Sequence, residues 1–128
     1  MSMSNIVVND VSTPTPIAHT FVPVADGANA KWVNGSGAQT LKGQETLGLD
    51  IKRATDARSA NTARLTLWDP TEVAAVDGTY GVKYGNSADL RFNFAQGATA
   101  QERANSFEIA INAAIAKKAD IIGLLAQF

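Results

Sequence analysis

Between residues 46 and 94 apolar and polar side chains alternate in three runs. In 46–52, Leu47, Leu49 and Ile51 share one parity and Thr46, Gly48, Asp50 and Lys52 the other. In 62–68, Ala63, Leu65 and Leu67 are set against Thr62, Arg64, Thr66 and Trp68. In 87–94, Ala88, Leu90, Phe92 and Phe94 are set against Ser87, Asp89, Arg91 and Asn93. Successive side chains of a strand point to opposite faces, so each run predicts a strand with one covered and one wetted face. After a short Ala-Gln-Gly-Ala turn the period changes. Phe107, Ala110, Ile111, Ala114 and Ile115 keep the i, i+3, i+4, i+7, i+8 spacing of one apolar stripe, predicting a helix over 99–118. Thr99 with Glu102 three residues on forms a capping box, and Lys117 and Lys118 suit the negative end of the helix dipole.

Upstream, β-prone runs at 5–8 and 17–24 flank Ser-Thr-Pro-Thr-Pro and predict an N-terminal hairpin, with Pro14, Pro16 and Pro23 keeping its strands short or at an edge. The run 30–33, the turn Asn34-Gly35-Ser36-Gly37 and the run 39–42 predict a second hairpin. A polar loop over 53–60 reverses the chain before the second alternating run. Asp69-Pro70 is expected to end that strand, leaving 71–79 as an exposed loop with a tight Asp77-Gly78 turn, after which Tyr80, Val82 and Tyr84 restart the sheet. Beyond 118, Ile121, Ile122, Leu124, Leu125 and Phe128 form a short apolar tail in which Gly123 weakens helix. Antiparallel strands followed by helix, with no strand–helix–strand alternation, is the α+β pattern. A helix of about 18 residues spans about 27 Å and crosses several strands about 4.8 Å apart. It could cover its own sheet or a partner's.

Composition narrows the chemistry. At 128 residues the expectation is a single domain over 1–128, large enough for a core yet small enough to gain from a partner. A net charge of −1 with 18% charged residues argues against a disordered basic arm, so contact with nucleic acid would rest on local patterning. The chain contains no cysteine, which removes disulfides, thiolate nucleophiles and Cys-based zinc sites. No apolar run approaches the roughly 20 residues of a membrane span, and Met-Ser-Met-Ser-Asn does not open a secretory leader; the expectation is a soluble protein of a reducing cytoplasm. His19 is the sole histidine, so no multi-histidine metal site or Ser-His-Asp arrangement is expected within one chain, and a core or strand-edge place is expected of it. The carboxylates follow no pairing motif and the glycines no phosphate-cradling one. An enzyme is disfavoured, and no cofactor or metal is expected.

Three segments carry a family resemblance: Ala18-His19-Thr20-Phe21-Val22-Pro23, the run 62–70, and Leu90-Arg91-Phe92-Asn93-Phe94 leading into Thr99-Ala100-Gln101-Glu102-Arg103-Ala104-Asn105-Ser106-Phe107. Together, and in the order of elements over nearly the whole chain, they resemble coat proteins of the single-stranded RNA bacteriophages, the leviviruses. The resemblance implies an N-terminal hairpin, a sheet of about five antiparallel strands, and C-terminal helices lying across the sheet of a dimer partner. It also implies an icosahedral shell of such dimers, assembled in the bacterial host's cytoplasm, whose sheets face packaged RNA and bind an RNA hairpin that represses translation and marks the genome. Leu90, Phe92, Phe94, Phe107, Ile111 and Ile115 would then form the dimer interface, and Thr71, Asp77 and Gly78 would lie in a loop at contacts between dimers. Two positions depart from the family: its base-stacking tyrosine on the last strand aligns with Ser87, and the C-terminal tail is short.

The RNA-facing surface implied is the wetted parity already described, with Lys52, Arg64, Thr66, Ser87, Asp89 and Arg91 as its contact residues. Lys52, Arg64 and Arg91 would meet phosphates, because cations that displace counterions supply the sequence-independent share of RNA affinity. The bland alternative is an ordinary solvated strand face, and Asp50 and Asp89 dilute the positive potential. Trp68 shares the same parity; it could stack on a base, though an indole so placed is more often half buried at a subunit contact. Besides a shell-forming coat protein, a stand-alone dimeric sheet that binds RNA without building a shell fits the same residues.

Overall fold

The computed structural model describes residues 3–56 and 60–124. Six strands, β1 (Ile6–Asn9), β2 (Ala18–Ala25), β3 (Asn29–Asn34), β4 (Glu45–Lys52), β5 (Asn61–Ala74) and β6 (Tyr80–Phe94), are followed by α1 (Ala100–Ala116) and α2 (Lys118–Ile122). The strands form one sheet in chain order, and every neighbouring pair is antiparallel. The α+β arrangement and the N-terminal hairpin match the sequence expectation. The hairpin is continuous with the sheet because β2 pairs with β1 on one side and β3 on the other.

Register explains why the three alternating runs build two chemically distinct faces. Leu47, Leu67 and Ala88 lie in one cross-strand row, Leu49, Leu65 and Leu90 in the next, and Ile51, Ala63 and Phe92 in a third. Ala30 and Trp32 of β3 extend the first two rows, opposite Leu49 and Leu47. A slip of one residue would turn every one of these side chains to the polar face, so the alternation itself fixes the register.

Three expectations are corrected. The run 39–42 is not a strand; β3 pairs instead with β4, and the intervening loop is held by Glu72, whose carboxylate accepts from the Gln39 N–H at 2.7 Å and the Thr40 hydroxyl at 2.8 Å. Pro70 does not end the strand: β5 continues to Ala74 with Pro70 opposite Gly85 and Thr71 opposite Tyr84, so the expected loop 71–79 shrinks to 75–79. The last pair between β4 and β5 is Thr46 with Trp68, so β4 does not reach Pro70, where a missing N–H is tolerated. The single helix expected over 99–118 stops at 116, and Lys117, at φ −101° and ψ 13°, separates it from α2. Its start is as expected, for Thr99 accepts from the Glu102 N–H and Glu102 from the Thr99 N–H, both at 3.1 Å. The expected reversal over 53–60 and tail positions Leu125 and Phe128 lie partly or wholly outside the described residues.

The core sits at one end. Phe21, Ala30 and Trp32 are the buried apolar residues among those described, packed by Met3, Ile6, Leu47, Leu49 and Leu67. The chain entering β1 seals this end, with the Trp32 indole N–H donating to the Ser4 carbonyl at 3.0 Å. Toward β6 the cover runs out: Leu90 is 39% exposed and no residue of α1 is buried.

Candidate functional site

The opposite, wetted face brings together all six residues assigned to RNA contact. Its cross-strand rows are Thr46–Trp68–Ser87, Gly48–Thr66–Asp89, Asp50–Arg64–Arg91 and Lys52–Thr62–Asn93. β3 adds Lys31 opposite Gly48. Lys31 is not among the expected contact residues because the hairpin expected of 30–33 with 39–42 keeps β3 away from β4; its alternation with Ala30 and Trp32 is the signal that marks it. Between β3 and β5 the face dips into a shallow depression of about 290 Å³ whose lining includes Lys31, Thr46, Gly48, Asp50 and Thr66. Gly48 makes this room, since a Cβ there would stand 2.8 Å from the Thr66 hydroxyl.

The charges are not equivalent. Arg64 forks onto Asp89, with its Nε 3.0 Å from Oδ1 and 2.9 Å from Oδ2. That hydrogen bonding raises the guanidinium's pKa and lowers the carboxyl's, the charge of each adding to the effect. Both side chains are solvent-exposed, so the pair contributes little to stability. Its consequence is local neutrality at Arg64. Lys31, Lys52 and Arg91 make no ion pair among the described residues and carry the face's positive potential.

On the apolar side, Leu90, Phe92 and Phe94 project from β6, and the Phe92 ring lies 5.1 Å from the Phe107 ring of α1. Phe107 is nonetheless 43% exposed, and Ile109 and Ile115 are exposed too. At the far hairpin, Asp77 accepts from the Thr79 N–H at 3.0 Å and its hydroxyl at 2.7 Å while Gly78 takes φ +85°, so these two residues form the tip; Thr71 stands in β5 instead.

His19, part of the Ala18–Pro23 segment, sits in β2 between two carboxylates. Its Nε2 lies 2.8 Å from Asp10 and its Nδ1 2.7 Å from Glu45, which also accepts from the Asn34 amide at 3.0 Å. With a carboxylate at each ring nitrogen the doubly protonated imidazolium is favoured, so the bond to Asp10 first and Glu45 second raises its pKa. Asp10 is held far below the usual carboxylate range, by His19 first and then by the backbone N–H groups of Ile17 and Ser12.

One open antiparallel sheet, apolar on one face and wetted on the other, is trailed by helices that leave that sheet largely uncovered. The family described as levivirus coat protein matches residues 1–128, and the chain belongs to that family. It is a structural, non-enzymatic capsid protein, built to assemble with copies of itself in a virion shell. A virus-like particle of bacteriophage NT-214 shares 19% identity over 100% of both chains with a TM-score of 0.86. One of bacteriophage ESE058 shares 22% over 100% of this chain and 99% of the other, also at 0.86. The bacteriophage EMS014 coat protein shares 25% over 86% of this chain and 72% of the other, at 0.74. A comparison with curated proteins finds no match.

Proposed function

We propose that two copies of this chain, each a single domain, interlock so that α1 of one lies across the apolar face of the other's sheet, and that these dimers close into an icosahedral shell around single-stranded RNA. The observation that carries the reading is a mismatch within one chain: an apolar sheet face without a cover and an apolar helix with nothing beneath most of it. A two-fold exchange satisfies both at once, because a self-complementary contact repeats each residue's role on the partner. At 17 residues α1 is about 25 Å long, enough to cross β3 to β6. The interface residues are Leu90, Phe92, Phe94, Phe107, Ile111 and Ile115.

The wetted face then turns toward the RNA. Lys52 and Arg91 meet phosphates, Arg64 does so while sharing its charge with Asp89, and Thr66, Ser87 and Asp89 supply groups that can read a hairpin, the basis for translational repression and packaging. Asp77 and Gly78 at the β5–β6 tip meet neighbouring dimers, with Thr71 set back in the strand. Assembly takes place in the bacterial cytoplasm. Electron microscopy of the purified protein tests the shell: closed particles containing nuclease-protected RNA are expected, whereas dimers that bind RNA without particles would favour the stand-alone RNA-binding sheet.

A further inference from the structure

Trp68 lies opposite Ser87 on the wetted face, and Gly85 is the next residue of β6 on that side. A Cβ placed on Gly85 would stand 2.1 Å from Cη2 of the indole and 2.5 Å from both Cζ2 and Cζ3. An edge-on ring would hold Cζ2 and Cζ3 well behind Cη2; their near-equal distances put the ring's face on the glycine. Any side chain at 85 would therefore lift the indole, and glycine is what lets it lie flat along the sheet. Trp68 remains 38% exposed, and among the described residues neither a ring nor a cation stacks on it. One broad face is seated on backbone and the other is open.

We propose that the open face of Trp68 is a stacking platform for an unpaired nucleobase of single-stranded RNA. This rests on the reading that the wetted face meets RNA, and it names how that face engages a base. The surroundings favour a base over an apolar side chain of another subunit. Hydroxyls of Thr46 and Ser87 stand directly across from Trp68 on the flanking strands, where they can pair with a base edge. Two rows farther along the same face Arg91 offers charge for a phosphate of the continuing strand, and Lys52 stands one row beyond it. An apolar subunit contact would bury the same hydroxyls without partners, at a cost. Every base has a π-face, so the platform itself tolerates sequence, and its hydroxyl rim sets preference.

The test uses full-length protein dissociated from its particles, short oligoadenylate, and an abasic phosphodiester strand of equal length. Trp68→Ala is expected to weaken oligoadenylate binding roughly 5- to 100-fold, leaving abasic-strand affinity and the salt slope unchanged, while Trp68→Phe retains most of the affinity. Oligoadenylate should quench wild-type fluorescence at Trp68, with buried Trp32 as the internal reference. Unchanged oligoadenylate affinity in Trp68→Ala overturns the proposal, as does a variant that loses assembly but not affinity, which would make Trp68 a subunit contact. Should Trp68→Ala fail to fold, the absence of quenching in the wild type overturns it. Wild-type protein binding both strands equally would sink the platform while sparing the RNA-facing surface. Binding to neither would sink both.

Discussion

The Phe92 and Phe107 rings lie 5.1 Å apart at 37°, an aromatic contact joining sheet to helix within one chain. It fixes where α1 starts relative to β6 and leaves the rest of the helix's apolar stripe open. In a lone chain Phe107→Ala would forfeit a half-exposed ring and cost little. In an interlocked dimer, where the ring is closed in by the partner, the loss should be about 3–5 kcal/mol per site. Denaturant unfolding at fixed protein concentration reads the difference, and a change below about 1 kcal/mol would place Phe107 outside any interface.

Ile111 extends the test by charge. Ile111→Asp should abolish soluble dimer and folding together, because the carboxylate would be buried without a partner. A soluble, well-folded monomer of this variant in sedimentation velocity would count against the exchange of helices.

The three strands that carry the site were legible because alternation at period two, once in register, sorts every side chain to a face; the helix start was legible because Thr99 and Glu102 interact across three residues. Pro70 is tolerated in a strand because the neighbouring strand does not reach it, which depends on β4 beginning only at Glu45 and not on the local sequence. The loop holding 39–42 depends on Glu72, 32 residues from Thr40, and no local pattern encodes that contact. The Arg64–Asp89 fork was likewise hidden, since it joins diagonal neighbours on strands whose pairing had first to be known.

That fork sets an order among the basic residues. Arg91→Ala should lower RNA affinity and flatten its salt dependence more than Arg64→Ala, because Arg64 is hydrogen-bonded and ion-paired to Asp89 whereas Arg91 makes no ion pair among the described residues. The double variant Arg64→Glu with Arg91→Glu should remain folded and lose more than either. Filter binding at two salt concentrations compares them; equal affinity and slope in a folded double variant would remove this face from RNA contact.

The Asp10–His19–Glu45 cluster predicts a pH window for the N-terminal hairpin. His19 has a raised folded pKa, so its contribution is fully present below its ordinary value of about 6.5 and disappears as the pH climbs through the raised one. Asp10 has a depressed folded pKa, so its contribution is present above 3.8 and lost as the pH falls through the lowered value. Asp69, raised first by burial and then by the charge of Glu45, works in the opposite sense, its contribution fading as it ionises. Hydrogen exchange at β1 and β2 amides, corrected for intrinsic rates, should show protection falling on the alkaline side, and His19→Gln should remove that alkaline limb. An identical limb in the variant would assign it to another group.

At the helix start, Thr99→Ala removes the oxygen that accepts from Glu102 N–H and should cost about 1 kcal/mol, read as a lower Tm of the assembled protein. Thr99→Ser should restore most of it.

The most direct measurement of the central claim is the mass of the smallest folded species when particles are dissociated under mild conditions, by native mass spectrometry with helical content followed in parallel. Among the described residues the buried apolar core is limited to Phe21, Ala30 and Trp32, too little to hold such a chain alone, so the account predicts a folded species of twice the 13.5 kDa chain mass that loses structure in the same concentration-dependent step in which it dissociates. A folded 13.5 kDa monomer with its helical signal intact would contradict it.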